Sequence, residues 1–195
     1  MMRRAVAPCR PFFFIEEGEF GAGEGRYITM KKPLSIYGAG RGKTTLVGVS
    51  LVIFGSSKSD GIVKIEDLTI KGGKEHGLLA YNGMNVIMRG CSIEECQEYG
   101  VAAERADISC DDLQVVGCGL SGVVAGNNAT ITLSGQGTTI QGNGTKGKSN
   151  SYGLDACKNH RCNIHLVHPL TKEEISTNNG GGNWGGYGTI KQISK

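Results

Sequence analysis

A cluster of cysteine and histidine side chains near the end of the chain has the composition of a metal site. The stretch "CKNHRCNIHLVH" contains Cys157, His160, Cys162, His165 and His168. Thiolate and imidazole groups at such short spacings are ligands that zinc prefers. The C-x2-C pair typical of closed zinc sites is missing, however, and the alternating apolar pattern around His165 directs its side chain outward. We therefore predict no bound metal or cofactor, with zinc at these five residues as the alternative.

Aromatic residues in the second half of the chain could contact a carbohydrate. Tyr99 and Tyr152 each directly precede a glycine that recurs along the chain, and Trp184 and Tyr187 lie in a glycine-rich segment. Aromatic rings repeated along a surface can stack against sugar rings. The alternative is that the rings pack on one another or hold the final segment over its neighbour. We predict these four residues as the binding site.

The stretch "LSIYGAGRGKTTLVG", residues 34–48, is similar to a nucleotide-binding loop in its glycines and its adjacent Lys43 and Thr44. The phosphate-binding pattern requires glycine where this chain has Tyr37, and it requires a helix directly after Thr44. The residues that follow, "TLVGVSLVIFG", have the β-branched and apolar composition of a strand. We therefore predict a turn between two strands and no nucleotide site.

Recurring short segments must position all of these residues. Four of them, "HGLLA", "YGVAA", "SGVVA" and "YGLDA", place a glycine three residues before an alanine. The glycines Gly77, Gly100, Gly122 and Gly153 are separated by 23, 22 and 31 residues, and the last interval contains an insertion at 141–153. Repetition at this period is typical of solenoid proteins, and insertions often form loops on the binding face.

Two rows of aliphatic residues recur in step with these glycines. One row consists of Leu46, Ile70, Ile93, Val115 and Ile140, and the other of Ile36, Val63, Val86, Ile108, Ile131 and Ile164. Stacking the repeats pairs each strand with its counterpart about 4.8 Å away. A helical solenoid is excluded because the pattern lacks a 3.6-residue period. We predict an all-β fold, a right-handed, single-stranded parallel β-helix with three parallel sheets and about five to six coils.

The predicted solenoid needs capped ends, because bare strand edges invite aggregation. We predict an N-terminal cap in residues 1–26, the β-helix in residues 27–170, and a C-terminal cap or tail in residues 171–195. In the tail, "TKEE" predicts a capping box between Thr171 and Glu174 that begins one helical turn.

The cysteines indicate packed thiols rather than a disulfide framework. Seven are present, so at least one stays outside an intramolecular pair. Cys96 and Cys118 follow Ile93 and Val115 at the same distance, which places them in the same position of adjacent turns. In a reducing compartment they are expected to fill space as free thiols, and a redox pair is the alternative.

Charge and hydropathy exclude several classes of partner. The formal net charge is +3 and the basic residues are scattered, so the chain has no electrostatic footprint for nucleic acid. No apolar run is long enough for a membrane helix, and the patch at 12–15 is too short for the core of a signal peptide. We predict a soluble protein, with an intracellular location favoured, as a monomer or an end-to-end or side-by-side homo-oligomer.

The stretch "FIEEGEFGAGEGRYITMKKPLSIYGAGRGKTTLVG" and the coils that follow resemble the pectate-lyase-like right-handed parallel β-helix superfamily, over roughly residues 12–170. The superfamily contains pectin methylesterases, pectate lyases, polygalacturonases and epimerases. It also contains non-enzymatic carbohydrate-binding-and-sugar-hydrolase repeats. The resemblance implies the fold and a function connected with polysaccharides or protein partners.

The catalytic motifs of these enzymes are not complete in this chain. A pectate lyase implies clustered aspartates for calcium and an R-x-P-x-x-R setting, neither of which is present. A polygalacturonase implies an aspartate pair before a His-Gly pair, whereas His76 here precedes Asp111 and Asp112. We predict a non-catalytic module that binds a glycan or a protein. The alternative is a diverged lyase, glycoside hydrolase or epimerase that uses Asp111, Asp112, Arg105 and His76, with calcium as a cofactor.

Overall fold

The chain winds into stacked turns of short strands with a single turn of helix. The computed structural model describes residues 11–57, 60–157 and 161–194, with the backbone alone at 22–24. The strands, in chain order, are β1 (Phe12–Phe14), β2 (Gly18–Met30), β3 (Ser35–Tyr37), β4 (Thr44–Phe54), β5 (Ile62–Glu66), β6 (Thr69–Lys71), β7 (Leu78–Tyr81), β8 (Asn85–Arg89), β9 (Ser92–Glu94), β10 (Val101–Glu104), β11 (Asp107–Asp111), β12 (Gln114–Val116), β13 (Val123–Gly126), β14 (Thr130–Ser134), β15 (Thr139–Gln141), β16 (Leu154–Ala156), β17 (Asn163–Val167), β18 (Ser176–Thr177), β19 (Trp184–Gly186) and β20 (Thr189–Ile193). The helical turn, α1 (Lys172–Ile175), precedes β18.

These strands stack in three columns of parallel strands. Column A is an eight-stranded sheet in the order β1-β3-β5-β8-β11-β14-β17-β20. Column B continues from the second half of β4 through β7, β10, β13, β16 and β19, and column C from the first half of β4 through β6, β9, β12, β15 and β18. Columns B and C form one twelve-stranded sheet, because the long strand β4 belongs to both and β2 pairs along it.

The predicted parallel β-helix is confirmed, with about eight turns instead of five to six, since column A contains eight strands. The two column A strands beyond the six predicted are β1 and β20. β20 continues the aliphatic row, because its Ile190 pairs with Ile164, whereas β1 and β19 lack this pattern. β1 is a run of phenylalanines paired with β3, and β19 is Trp-Gly-Gly paired with β16. Backbone hydrogen bonding to an existing strand edge is sufficient to add such a strand, whatever its side chains.

The interior follows the two predicted aliphatic rows. The row from Leu46 to Ile140 is in register through column C, and the row from Val63 to Ile164 is in register through column A. The prediction for Ile36 is wrong, since it pairs with Ile65. The turn of the solenoid between Ile36 and Ile65 contains the long strand β4 and is therefore longer than the regular period of the repeat. Each large aliphatic residue in these rows contributes about 1.5–3 kcal/mol through burial.

The predicted turn between two strands is confirmed, since it occupies residues 38–43 between β3 and β4. Lys43 lies in this turn, whereas Thr44 is already the first residue of β4. The Thr44 hydroxyl donates to the carbonyl oxygen of Glu16 at 2.8 Å and accepts from the N–H of Ala39 at 2.8 Å. These bonds tie the turn to the connection between β1 and β2, where Glu16 lies. A strand, and not a helix, therefore follows the lysine–threonine pair.

Cys96 and Cys118 are free and buried in successive turns, as the packed-thiol interpretation predicts.

A buried pair of asparagines closes the corner that follows column C. Asn143 donates to the carbonyl oxygen of Val115 at 3.2 Å and to the side-chain oxygen of Asn179 at 3.0 Å. Both amides are almost inaccessible to solvent, and their bonds satisfy polar groups that would otherwise be costly to bury.

Stacked strands continue into both segments that were predicted as caps. β18, β19 and β20 pair with the last strands of columns C, B and A, and β1 pairs with β3 at the other end. The cap role of these segments stays a prediction, and residues 1–10 lie outside the described part of the chain. The capping box is wrong in detail. Thr171 makes no capping bond to the backbone, and its hydroxyl donates to the carboxylate of Glu174 at 2.7 Å.

In the part of the chain that the structure describes, no helix has the length and apolar character needed to cross a membrane.

Candidate functional site

Two adjoining depressions on the outer face of column B form the candidate site, which we call the tyrosine groove. They share Tyr99 and Cys157, and their volumes are about 380 and 530 Å³. The first half is lined by His76, Leu79, Tyr81, Tyr99, Ala102, Ala103, Glu104, Val124, Gly126, Asn127 and Cys157. The second half is lined by Tyr99, Leu120, Lys148, Asn150, Ser151, Tyr152, Asp155, Cys157, Gly186 and Tyr187.

The strand alternation of column B explains the shape of this groove. In β7, β10, β13 and β16 the first residue points into the core, so the second points outward. These second residues, in register across four turns, are Leu79, Ala102, Val124 and Asp155. The side chains of Ala102 and Val124 are small, so the floor of the groove lies close to the strands of column B. The residues directly before the recurrent glycines form one wall of the groove, and three of these four residues have large side chains.

Stacked rings form the wall of the first half. The rings of His76 and Tyr99 lie 5.3 Å apart between centroids, with an angle of 19° between their planes. His76 Nδ1 lies 3.8 Å from Glu98 Oε2. Burial lowers the pKa of His76, against the raising effect of Glu98. The packing of rings across turns, one of the two interpretations of this row, therefore occurs here, and Tyr99 also lines both halves of the groove.

The opposite side of the first half is held by polar contacts between turns. Arg105 Nη2 donates to the hydroxyl of Tyr81 at 2.7 Å, and its guanidinium carbon lies 5.1 Å from the centroid of the Tyr81 ring. Asn127 Nδ2 donates to Glu104 Oε2 at 3.3 Å. Arg105 therefore lies at the edge of the groove, in contact with the lining residue Tyr81. The Glu104 side chain lines the groove itself.

Glycines shape the second half as much as aromatic rings do. A β-carbon placed on Gly185 would overlap the ring of Tyr152, so the bare backbone of β19 lets this ring lie flat against it. Tyr187 lies at the rim with 68% of its surface exposed. The insertion at 141–153 supplies Lys148 and Tyr152 among the lining residues. It therefore lies beside the groove, as insertions in solenoids often do.

Sequence reasoning did not identify Asp155, Glu104 or Lys148 as residues of the groove, and Asp155 is the most deeply held of them. Ser121 Oγ donates to Asp155 Oδ2 at 3.1 Å, and the backbone N–H of Tyr152 donates to Ser121 Oγ at 3.0 Å. Burial raises the pKa of Asp155, and the Ser121 hydrogen bond opposes this effect. The available signal was a departure from the repeat. The motif "YGLDA" has an acid where the other turns have leucine, alanine or valine.

The four residues named for a diverged enzyme are divided between two places. His76 lines the groove and Arg105 lies at its edge. Asp111 and Asp112 lie at the end of β11 in column A. There Asp111 accepts from Ser134 Oγ at 2.8 Å, and Asp112 Oδ1 accepts a backbone N–H at 2.7 Å. Neither aspartate lines the groove, so the structure does not bring these four residues together.

The cysteines and histidines named for zinc are also dispersed. Cys157 lines the groove, Cys162 is buried in the core, His165 lies on the outer face of column A and His168 is exposed. His160 lies outside the described residues. Among the residues described, no group of three or more Cys, His, Asp or Glu side chains is arranged to hold a metal ion. Strand alternation explains the dispersal of Cys162 and His165, because it sends them to different faces.

Three of the four aromatic residues predicted to bind carbohydrate meet in the second half of the groove. They are Tyr99, Tyr152 and Tyr187. Trp184 instead pairs in register with Leu154, and Lys172 Nζ lies 4.7 Å from the centroid of its ring. The tryptophan therefore packs at the end of the solenoid.

A family profile described as "Right handed beta helix region" matches residues 50–182, which is more than half of the chain. The matched span contains the entire first half of the groove and all of the second half except Gly186 and Tyr187. No curated protein and no solved structure matches the chain.

Proposed function

The chain belongs to the family of right-handed β-helix regions, and from this premise we propose that it is a binding module for an extended carbohydrate chain. The observation that carries the proposal is the meeting of Tyr99, Tyr152 and Tyr187 in one groove along the solenoid axis. A concave site with apolar rings and a small number of polar groups is the usual form of a ligand pocket.

The spacing of the rings supports a ligand that extends over several turns. Tyr99, Ser121 and Tyr152 occupy equivalent positions in three successive turns, so the two tyrosines are roughly 10 Å apart at the usual strand spacing. The small side chain of Ser121 leaves the space between them open. Aromatic rings supply apolar area for the faces of sugar rings. The amides and charged groups at the rim supply hydrogen bonds for hydroxyl groups.

Calorimetric titration with neutral and charged hexasaccharides tests this proposal. We expect saturable binding to at least one hexasaccharide. Tyr99→Ala is expected to weaken it about tenfold, because it removes the ring shared by both halves. The matched control is Tyr37→Ala, since Tyr37 lies in column A and packs edge-on against Phe12 at 6.5 Å, away from the groove. Absence of binding to every hexasaccharide, or an equal loss in the two variants, would contradict the proposal.

A second candidate function, a polysaccharide-cleaving enzyme, is favoured by Asp155. A carboxyl group whose pKa is raised by burial is suited to donate a proton to a leaving oxygen. Glycoside hydrolysis also needs a second carboxylate, for which Glu104 in the first half is the candidate. The test is incubation with pectin, alginate and neutral polysaccharides, with and without calcium. New reducing ends or unsaturated uronate absorbance, abolished in Asp155→Asn, would establish the enzyme. Binding without turnover would establish the module.

A further inference from the structure

We propose that the tyrosine groove selects carbohydrate chains carrying protonated amino groups, such as oligomers of 2-amino-2-deoxyglucose, over chains carrying uronate groups. The inference rests on the proposed function, because it names the class of carbohydrate for the same groove.

Carboxylates outnumber cations around Tyr99. Glu104 and Asp155 line the two halves of the groove, and Glu98 lies beside the His76–Tyr99 stack. Burial raises the pKa of the Tyr99 phenol, and Cys157 and then these three carboxylates raise it further, so all three carboxylates act on the same ring. Lys148 is the one lysine or arginine that lines the groove among the residues described. The whole chain has a formal charge of +3, so the groove has the opposite sign to the molecule.

The two carboxylates that line the groove have neutral partners in the described part of the chain. In the described ranges, neither Glu104 nor Asp155 forms an ion pair with a lysine or arginine, and their partners are Asn127 and Ser121. Burial lowers the pKa of His76, which keeps this ring neutral near pH 7. An ammonium group on a ligand gains from such carboxylates, whereas a uronate meets like charges in a partly desolvated groove.

The aromatic rings point independently to a cationic ligand. A cation over the face of a tyrosine or tryptophan is attracted by the ring, and the effect adds to that of a nearby carboxylate. Among the described residues, the chain makes this contact with its own side chains at Arg105 over Tyr81 and at Lys172 over Trp184. The first of these contacts lies at the edge of the groove. A ligand ammonium group in the second half of the groove would make the equivalent contact with Tyr152.

The test is titration with three hexasaccharides at a pH where free sugar amines are protonated. They are a hexamer of 2-amino-2-deoxyglucose, its fully N-acetylated form, and hexagalacturonate. We expect the amino hexamer to bind at least tenfold more tightly than the N-acetylated one, and hexagalacturonate to bind most weakly. Higher salt is expected to narrow the differences. Glu104→Gln and Asp155→Asn should each lower the ratio of affinities between the amino and N-acetylated hexamers.

Glu66→Gln is the matched control, because Glu66 lies in column A, 3.6 Å from Arg89, and its loss changes the net charge equally. It should leave the ratio at the wild-type value. Equal binding of the amino and N-acetylated hexamers, or tightest binding of hexagalacturonate, overturns the inference while leaving the proposed function in place. Binding of none of the three overturns the proposed function itself. Displacement of the amino hexamer by a lysine oligomer at equal concentration assigns the groove to a basic peptide and also overturns the inference.

Discussion

The two halves of the tyrosine groove are built in different ways. The first half lies on turns of regular length, and its aromatic groups already have partners within the chain. His76 stacks on Tyr99, and Arg105 lies over Tyr81. The second half is lined in addition by the insertion at 141–153 and by Gly186 and Tyr187, which follow β18. At the surface of the second half lie side chains that have no equivalent in the turns of the first half.

This difference indicates that the regular repeat supplies the residues that form the wall of the groove. Residues that depart from the repeat add ionisable groups to the groove. Leu79, Ala102 and Val124 are ordinary outward residues of a β-helix, and Asp155 replaces them in the fourth turn of the same row. Replacing an apolar residue by a half-buried carboxylate costs stability unless it is compensated. A carboxylate placed at such a position is therefore a good candidate for function.

The largest expected effect comes from removing the core beneath each half. Leu78 and Leu154 occupy the same inward row, below the first and second halves, and both are fully buried. Leu78→Ala and Leu154→Ala should each lower the free energy of unfolding by about 2–5 kcal/mol, because each leaves a cavity. Urea denaturation provides the measurement. A loss below about 1 kcal/mol for Leu154→Ala alone would show that the second half does not share the continuous core.

A smaller effect is expected from filling the space that the second half reserves for a ring. Gly185→Ala should displace the ring of Tyr152 and weaken hexasaccharide binding about tenfold, by the loss of one aromatic contact. The control is Gly21→Ala, since a β-carbon there would come no closer than 3.8 Å to its nearest neighbour. Titration of both variants distinguishes the outcomes. Unchanged affinity in Gly185→Ala would remove Tyr152 from the site.

The smallest expected effects are opposite pH dependences in the two halves. The pKa of Asp155 is raised above its ordinary value of 3.8, so its contribution to stability is present below pH 3.8 and is lost as the pH rises through the raised value. The pKa of His76 is lowered below 6.5, so its contribution is present above pH 6.5 and is lost as the pH falls through the lowered value.

In the wild type, the Asp155 contribution makes the free energy of unfolding decline as the pH rises above 3.8, and Asp155→Asn should remove this decline. The His76 contribution makes it decline as the pH falls below 6.5, and His76→Asn should remove that decline. Urea titrations at a series of pH values measure both slopes. If the two variants change the slope in the same direction, the burial of one of these groups is not what the structure describes.

The core of the fold could be predicted from the sequence because inward positions allow little variation. The rows through Ile93 and Ile108 repeat at an almost constant interval, and each row became one ladder of paired strands. Of the extra strands, β20 continues the same row with Ile190 opposite Ile164, whereas β1 and β19 could not be predicted in this way. β1 and β19 are held by backbone pairing to a neighbouring edge, which leaves no side-chain pattern in the sequence. The register of Ile36 was lost because the long strand β4 interrupts the period.

The groove was predictable only in part. The tyrosines before the recurrent glycines were identified from the motif, but their direction was not, because a glycine breaks the alternation of a strand. The cysteine and histidine cluster was close in sequence and is dispersed in the structure, since Cys162 packs inward and His165 outward. Asp155 is the residue at which "YGLDA" departs from the other copies of the motif, and the residues that the copies share do not point to it. Departures within a repeat are therefore as informative as its constant positions.

The most direct test of the central claim, that the outer face of column B is the ligand-binding face, is a crystal structure of the protein with a bound amino hexasaccharide. We predict density for consecutive sugar units along the solenoid axis, in contact with Tyr99 and Tyr152 and with an amino group beside Asp155 or Glu104. Density on the outer face of column A or at an end of the solenoid, with the groove unoccupied, would contradict the claim.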